Sequence, residues 1–227
     1  MSLLEFIFRR TIVYPIILFD LDGTLTDPKP GITKCVQYAL AKMGIEEPDC
    51  DKLTPFIGPP LAKAFMEFYQ MDEQQAIQAI EYYRERFSTV GLYENSVYPG
   101  IPELLGQLTA KGSKLVVATS KPTVFSVKIL NYFCLSSYFA QVIGSNLDGT
   151  RVEKSEVIAF ALSEIGNVNC ESVIMVGDRK HDILGAKANG IDAIAVGYGY
   201  GSEEELRQAA PKQIVQTVEE LAATLLK

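Results

Sequence analysis

Several features that commonly announce a function are missing from this sequence. Basic charge is not in excess: 28 acidic residues against 21 lysines and arginines give a net charge of −7. Proteins that hold nucleic acid usually present a basic face, so no nucleic acid polymer is expected as a partner. Paired cysteines are also missing. Cys35, Cys50, Cys134 and Cys170 are scattered without CxxC spacing, which suits reduced thiols in a cytoplasmic protein rather than a disulfide framework. No apolar run approaches the ~18 residues that a membrane span needs. The short apolar patch Leu3–Phe8 is followed by Arg9 and Arg10, whereas a signal peptide carries its charge first. Residues 1–12 are given no role. There is no internal repeat and no low-complexity linker, and His181 is the only histidine.

What is present begins with Ile16-Ile17-Leu18-Phe19, an apolar run that reads as a strand buried on both faces. It ends in Asp20-Leu21-Asp22-Gly23-Thr24. In open α/β sheets the ligand crevice lies at the carboxyl ends of the strands. Two carboxylates placed there repel each other unless a proton or a cation lies between them. A hard cation with oxygen ligands, such as Mg²⁺, is the natural guest.

Beyond Thr24 the period changes. Ile32, Val36, Leu40 and Met43 recur at helical spacing, with Gly44 as a stop. Leu61, Phe65 and Phe68 repeat the signal, and Ala76, Ile80, Tyr83, Phe87 and Val90 form an amphipathic stripe whose aromatics read as packing residues. Tyr98-Pro99-Gly100 breaks the pattern. Pro102 opens another helix, which leaves at Gly112. Strands and helices then alternate: strand 115–118, helix 122–133, strand 141–144, helix to 165, strand 173–176, helix 180–189, strand 194–196, and a last helix capped by Thr217. Thr150 and Glu153 have capping-box spacing ahead of the helix that ends at Ile165. This alternation predicts an α/β, Rossmann-like parallel sheet joined by right-handed crossovers. The helical block is too long for one crossover and reads as an inserted all-helical cap. The expected division is a core of residues 1–26 and 97–227 and a cap of 27–96.

Four strand ends or helix starts carry polar residues in a telling order: Asp20-x-Asp22-Gly23-Thr24, then Thr119-Ser120, then Lys154, then Gly177-Asp178-x-x-x-Asp182. Together they resemble the motifs of the haloacid dehalogenase (HAD) superfamily, most of whose members are phosphatases. The resemblance runs from about residue 16 onward. It implies that Asp20 is the nucleophile and forms an aspartyl phosphate. It implies that Asp22 protonates the leaving group and then activates water, and that Lys154 holds the nucleophile and the transferred phosphoryl group. Mg²⁺ is implied to be bound by Asp20, by the backbone carbonyl of Asp22 and by Asp178. Thr119 would donate its hydroxyl to a phosphoryl oxygen, with Ser120 standing where many relatives have asparagine. Asp182 would order the site rather than bind metal, and Gly23 and Gly177 would allow close backbone approach. His181 falls at a variable position of the last motif, and Arg151 reads as a surface charge.

Phe56-Ile57-Gly58-Pro59-Pro60-Leu61 resembles a segment of the phosphoglycolate phosphatase and 5′-nucleotidase-like branch. That loop is expected to face the active site. The implied activity is Mg²⁺-dependent hydrolysis of a small phosphorylated metabolite, with no membrane partner, by a monomer or homodimer. A 2-haloacid dehalogenase is disfavoured, because that branch lacks an acid at the position of Asp22. A sugar phosphomutase and a receiver-like phospho-acceptor module stay as alternatives, although the latter is about half this length. A non-catalytic binding protein is a further possibility on the same fold.

Overall fold

The computed structural model describes residues 14–227, so the segment given no role, residues 1–12, lies outside it. Strand β1 (Ile16–Phe19) is buried along its whole length. Its side chains alternate between faces, as strand geometry dictates. Ile17 and Phe19 join one apolar cluster, and Ile16 and Leu18 join the cluster on the opposite face. Each such side chain contributes about 1.5–3 kcal/mol on burial, so β1 is fixed from both sides.

After β1 the chain forms β2 (Thr26–Asp27), α1 (Lys29–Lys42), a 3₁₀ segment (Cys50–Phe56), α2 (Leu61–Tyr69) and α3 (Glu73–Arg86). A π turn (Phe87–Gly91) and β3 (Ser96–Val97) follow, and β3 pairs antiparallel with β2. Then come α4 (Ile101–Ala110), β4 (Lys114–Pro122), α5 (Thr123–Tyr132), β5 (Phe139–Ser145), α6 (Lys154–Ile165) and β6 (Val173–Gly177). The chain ends with α7 (Lys180–Ala188), β7 (Asp192–Val196), α8 (Glu203–Ala209), β8 (Gln213–Val215) and α9 (Val218–Leu225). Six strands form one sheet in the order β5-β4-β1-β6-β7-β8. Every pairing in it is parallel. The connections run outward from β1 to β4 and β5, then return to β6 on the other side. The carboxyl end of β1 is therefore the switch point where ligands bind in such sheets.

The helical stretches fall where the periodicity put them, with informative exceptions. Helix α3 opens with a capping box between Asp72 and Gln75, which the stripe alone did not reveal. The π turn holds an extra residue per turn and shifts the phase of the stripe. Phe87 keeps to the stripe and is buried, but past it the phase slips, so Gly91 is buried while Val90 is 46% exposed. Phe68 is also exposed at the rim of α2, although its ring still meets Phe56 at 5.5 Å between centroids. The capping box expected from Thr150 and Glu153 does not form. Glu153 is the N-cap of α6 without a side-chain bond. The Thr150 hydroxyl bonds within its own turn, to Asp148 and Asn146. Helix α8 and strand β8 are too short to show a period, and the two-residue strands β2 and β3 leave none.

Candidate active site

The sheet register assembles the site. Phe19 pairs with Val117 of β4 on one side and Val176 of β6 on the other. The residues just beyond these levels are Asp20, then Thr119, then Asp178, so all three emerge at one edge. Asp20 is still tied to the sheet, because its N–H donates to the Val176 carbonyl at 2.9 Å. Asp20, Asp22, Thr119, Lys154, Asp178 and Asp182 are all buried.

Lys154 stands at the first position of α6, where a cation opposes the helix dipole. The structure supplies the compensation. Its Nζ lies 2.8 Å from Asp20 Oδ1 and 2.7 Å from Asp182 Oδ1, and it donates to the Ala118 carbonyl at 3.2 Å. Burial works against the ammonium, but Asp182 and Asp20 outweigh it and raise the Lys154 pKa. Asp182 also accepts from the Arg179 N–H, closing the start of α7. It thus orders the site and touches Lys154 at once.

Asp20, Asp178 and Asp182 each offer an oxygen within 4.8 Å of the others. Burial, followed by the charges of Asp182 and Asp20, pushes the Asp178 carboxyl well above the usual range. The Tyr200 N–H opposes that shift only in part, donating to Asp178 at 2.7 Å. One buried ammonium faces three buried carboxylates, and this excess negative charge fits a hard cation with oxygen ligands. The backbone leaves room for close approach. Gly23 has φ +80°, and a Cβ there would lie 2.1 Å from Asp178 Oδ2. A Cβ on Gly177 would meet Asp182 Cγ at 2.2 Å.

The Asp22 carboxylate is not part of this trio. Its Oδ2 lies 2.8 Å from Lys121 Nζ, and its Oδ1 is buried without a hydrogen-bond partner. Burial raises the Asp22 pKa, while Lys121 pulls it back. The Thr119 hydroxyl accepts from the Lys121 N–H at 3.3 Å. Ser120 lines the adjoining cavity, and its carbonyl accepts from Ser145. His181 is half-buried and outside the carboxylate trio; burial and the neighbouring Arg179 and Lys180 lower its pKa.

The sequence missed two functional-looking side chains. Lys121 is as buried as Asp22, and the only sequence cue was a lysine right after the strand-end hydroxyls. Arg179 follows Asp178 and donates to the Ile57 carbonyl at 2.5 Å, while Glu205 braces its guanidinium. The Phe56–Leu61 loop therefore does face the site, and Gly58 lies against the Arg179 side chain. Arg151 is not a free surface charge. Its Nε bonds the Gly144 carbonyl at 2.9 Å and its guanidinium stacks over Phe160. Between the α1–α3 helices and the sheet edge lies a cavity of about 220 Å³, lined in part by Asp22, Ser120 and Lys121. Tyr83 and Phe87 are core residues, as expected, and also form its wall.

A family model described as "Haloacid dehalogenase-like hydrolase" matches residues 17–196. A protein of Pseudomonas aeruginosa named 5′-nucleotidase is 54% identical over 198 residues, covering 87% of this chain and 89% of its own. A Mycobacterium tuberculosis protein named tyrosine-protein kinase PtkA is 36% identical, covering 92% of this chain and 72% of its own. The crystal structure of a predicted phosphatase from Clostridium acetobutylicum superposes with a TM-score of 0.92 at 48% identity, covering 94% of this chain and 99% of that one.

Proposed function

The chain belongs to the haloacid dehalogenase-like hydrolases and is a phosphatase of that family; from that premise we propose that it hydrolyses small phosphomonoesters of the nucleotide or phosphoglycolate type, with Mg²⁺, through an aspartyl phosphate on Asp20. The observation that carries this reading is the convergence on Lys154. One buried ammonium touches Asp20 from the first motif and Asp182 from the last, beside Asp178.

An Asp20 oxygen bonds to phosphorus as the bond to the leaving oxygen breaks, and Asp22 passes its proton to that oxygen. Water then attacks the acyl phosphate, giving its proton to Asp22 and releasing inorganic phosphate and the free Asp20 carboxylate. A raised pKa suits Asp22 for the first step. Lys154 fixes the Asp20 carboxylate and offsets its repulsion toward a phosphate dianion. Thr119, at the same sheet edge, would donate its hydroxyl to a phosphoryl oxygen. Asp20, Asp178 and the Asp22 carbonyl would hold the metal, which when bound supplies further charge neutralisation. Asp182, Gly23 and Ser120 would support them.

Residues 27–96 act as a cap on a core whose described residues are 14–26 and 97–227. The helical content of that stretch and the antiparallel pairing of β2 with β3 at its two ends support this division. The cap and one face of the sheet nevertheless share a continuous apolar cluster. The four cysteines are unpaired, which suits a reducing compartment such as the cytoplasm.

The test is phosphate release from phenyl phosphate and from a panel of small esters, with Mg²⁺ and with chelator. Asp20→Asn should abolish turnover with folding intact, and chelator should do the same reversibly. An Asn variant with full activity would sink the nucleophile assignment.

A further inference from the structure

Arg179 directly follows Asp178 and falls on the first variable position of the last motif. Only 13% of its side chain is exposed. A guanidinium is a rigid fork of donors, and here the fork divides. Nε and Nη2 meet the two carboxylate oxygens of Glu205 in α8, at 2.9 and 3.4 Å. Nη1 donates to the Ile57 carbonyl at 2.5 Å. Glu205 also accepts from the Lys180 N–H at 2.9 Å, which ties it to the start of α7. Its carboxylate balances the Arg179 charge, so Arg179 is not a free cation awaiting a substrate anion. What remains is a braced donor aimed at the helical region.

The other side of the contact is built to receive it. Gly58 has φ +105°, where glycine is favoured, and a Cβ there would lie 2.9 Å from Arg179 Cγ. Phe56, just before Ile57, packs against Phe65, Phe68 and Tyr69. Pro60 then leads into α2, and Pro60, Leu61 and Lys63 line the cavity beside Asp22. The place of Ile57 therefore sets where that wall stands. Around the same cavity, Lys63 pairs with Glu153 at 2.6 Å and Arg84 donates to the Leu147 carbonyl at 2.9 Å. Lys63 and Leu147 are exposed, and ion pairs in solvent contribute little. The Arg179 bond is shielded and charge-assisted, which is the stronger kind. On the core side, the Arg179 N–H donates to Asp182 at 3.0 Å; Asp182 pairs with Lys154, and Lys154 with Asp20. One residue thus holds the cavity wall with its side chain and the catalytic cluster with its backbone.

Building on the phosphatase reading above, we propose that Arg179 is a positioning residue for substrate recognition: through the Ile57 carbonyl it fixes the wall formed by residues 60–63 beside the leaving group, so that esters with a body large enough to meet that wall depend on Arg179 for binding. Arg179 itself touches no reacting atom.

The test compares the wild type with Arg179→Met, Arg179→Lys and Gly58→Ala on adenosine 5′-monophosphate, phenyl phosphate and acetyl phosphate, with Mg²⁺. Loss of a charge-assisted hydrogen bond predicts a KM about tenfold or more higher for the first two esters in Arg179→Met. Acetyl phosphate has almost no body, so its KM should change by a factor about threefold smaller or less. In each case kcat should fall less than KM rises, because a displaced wall removes binding and leaves Asp20 and Asp22 in place. Arg179→Lys keeps a donor for the carbonyl but not the fork for Glu205, and should recover part of the KM. Gly58→Ala disturbs the same contact from the other side and should raise the same KM values. Hydrogen exchange gives a readout that needs no turnover: the amides of residues 57–64 should exchange about tenfold faster in Arg179→Met, while those of β4 keep their rates. Equal losses on all three esters, carried by kcat, would overturn the proposal by making Arg179 act through Asp178 and Asp182. Unchanged exchange at residues 57–64 would overturn it as well. Should Arg179→Met fail to fold, Gly58→Ala decides on the same two readouts. No release of phosphate from any of the three esters would instead sink the phosphatase reading, and exchange would still judge the anchor.

Discussion

Replacing Lys154 by methionine separates its charge from its packing, because the stem stays nearly as long. Two ion pairs vanish, at 2.8 Å to Asp20 and 2.7 Å to Asp182, together with the bond to the Ala118 carbonyl. The side chain is buried, so water does not replace them. Removing one partner of a buried pair costs about 3–5 kcal/mol. A domain of this kind has about 5–15 kcal/mol in all, so the variant should fold but unfold easily at neutral pH. The loss should depend on pH. Burial pushes the carboxyl of Asp182 up to about 6, with Lys154 opposing and Asp20 adding to the rise, and it pushes Asp178 up as well. Between the unfolded carboxylate value and these raised values the folded form binds more protons than the unfolded chain. Stability without metal must therefore fall as pH rises through that window. Taking away Lys154 removes the influence that lowers Asp182, so the window extends upward. Lys154 itself has a raised pKa, and the stability it brings is present throughout the acid and neutral range. Its own titration adds nothing to the difference. Urea unfolding without metal should show a deficit of about 3–5 kcal/mol at pH 8 and roughly half of that or less at pH 5. An equal deficit at both pH values would refute the reasoning, because lost packing has no such pH dependence.

Two further outcomes follow from the same geometry. Gly23→Ala places a Cβ 2.1 Å from Asp178 Oδ2 at φ +80°, which costs about 1–2 kcal/mol for the backbone alone and must displace the carboxylate; the Mg²⁺ concentration for half-maximal activity should rise tenfold or more, and an unchanged Mg²⁺ response would exclude this role. Asp22→Asn should slow the first step, release of the leaving group in a single turnover, by about 10²–10⁴-fold for an alkyl phosphate but much less for p-nitrophenyl phosphate, since nitrophenolate leaves without a proton; equal losses of that step on both would remove Asp22 as the acid.

The parts of the site that could be read in the sequence are those made by one strand end at a time. A short, β-branched apolar run such as Ile16–Phe19 reads as a buried strand, and whatever follows such a strand emerges at the sheet edge. The same logic found Thr119 and Asp178, and the odd placement of Lys154 at a helix start signalled a nearby anion. Lys121 escaped because its position depends on an irregularity between β4 and β5, which is a property of two strands and not of either alone. Arg179 escaped because its partner is a backbone carbonyl of the distant Ile57, and carbonyls carry no sequence signature. The π turn escaped for a third reason. Its first residue, Phe87, still fits the helical stripe of α3, so the period alone predicts continued helix up to the residue where the phase slips. That slip has a chemical consequence, because it falls where the Phe87 ring meets the Lys121 ammonium beside Asp22. Motif reading thus recovers the groups proposed for attack on phosphorus, each fixed by its own strand or helix. The groups that face the leaving side are set by contacts between elements, and only the folded chain brings those together.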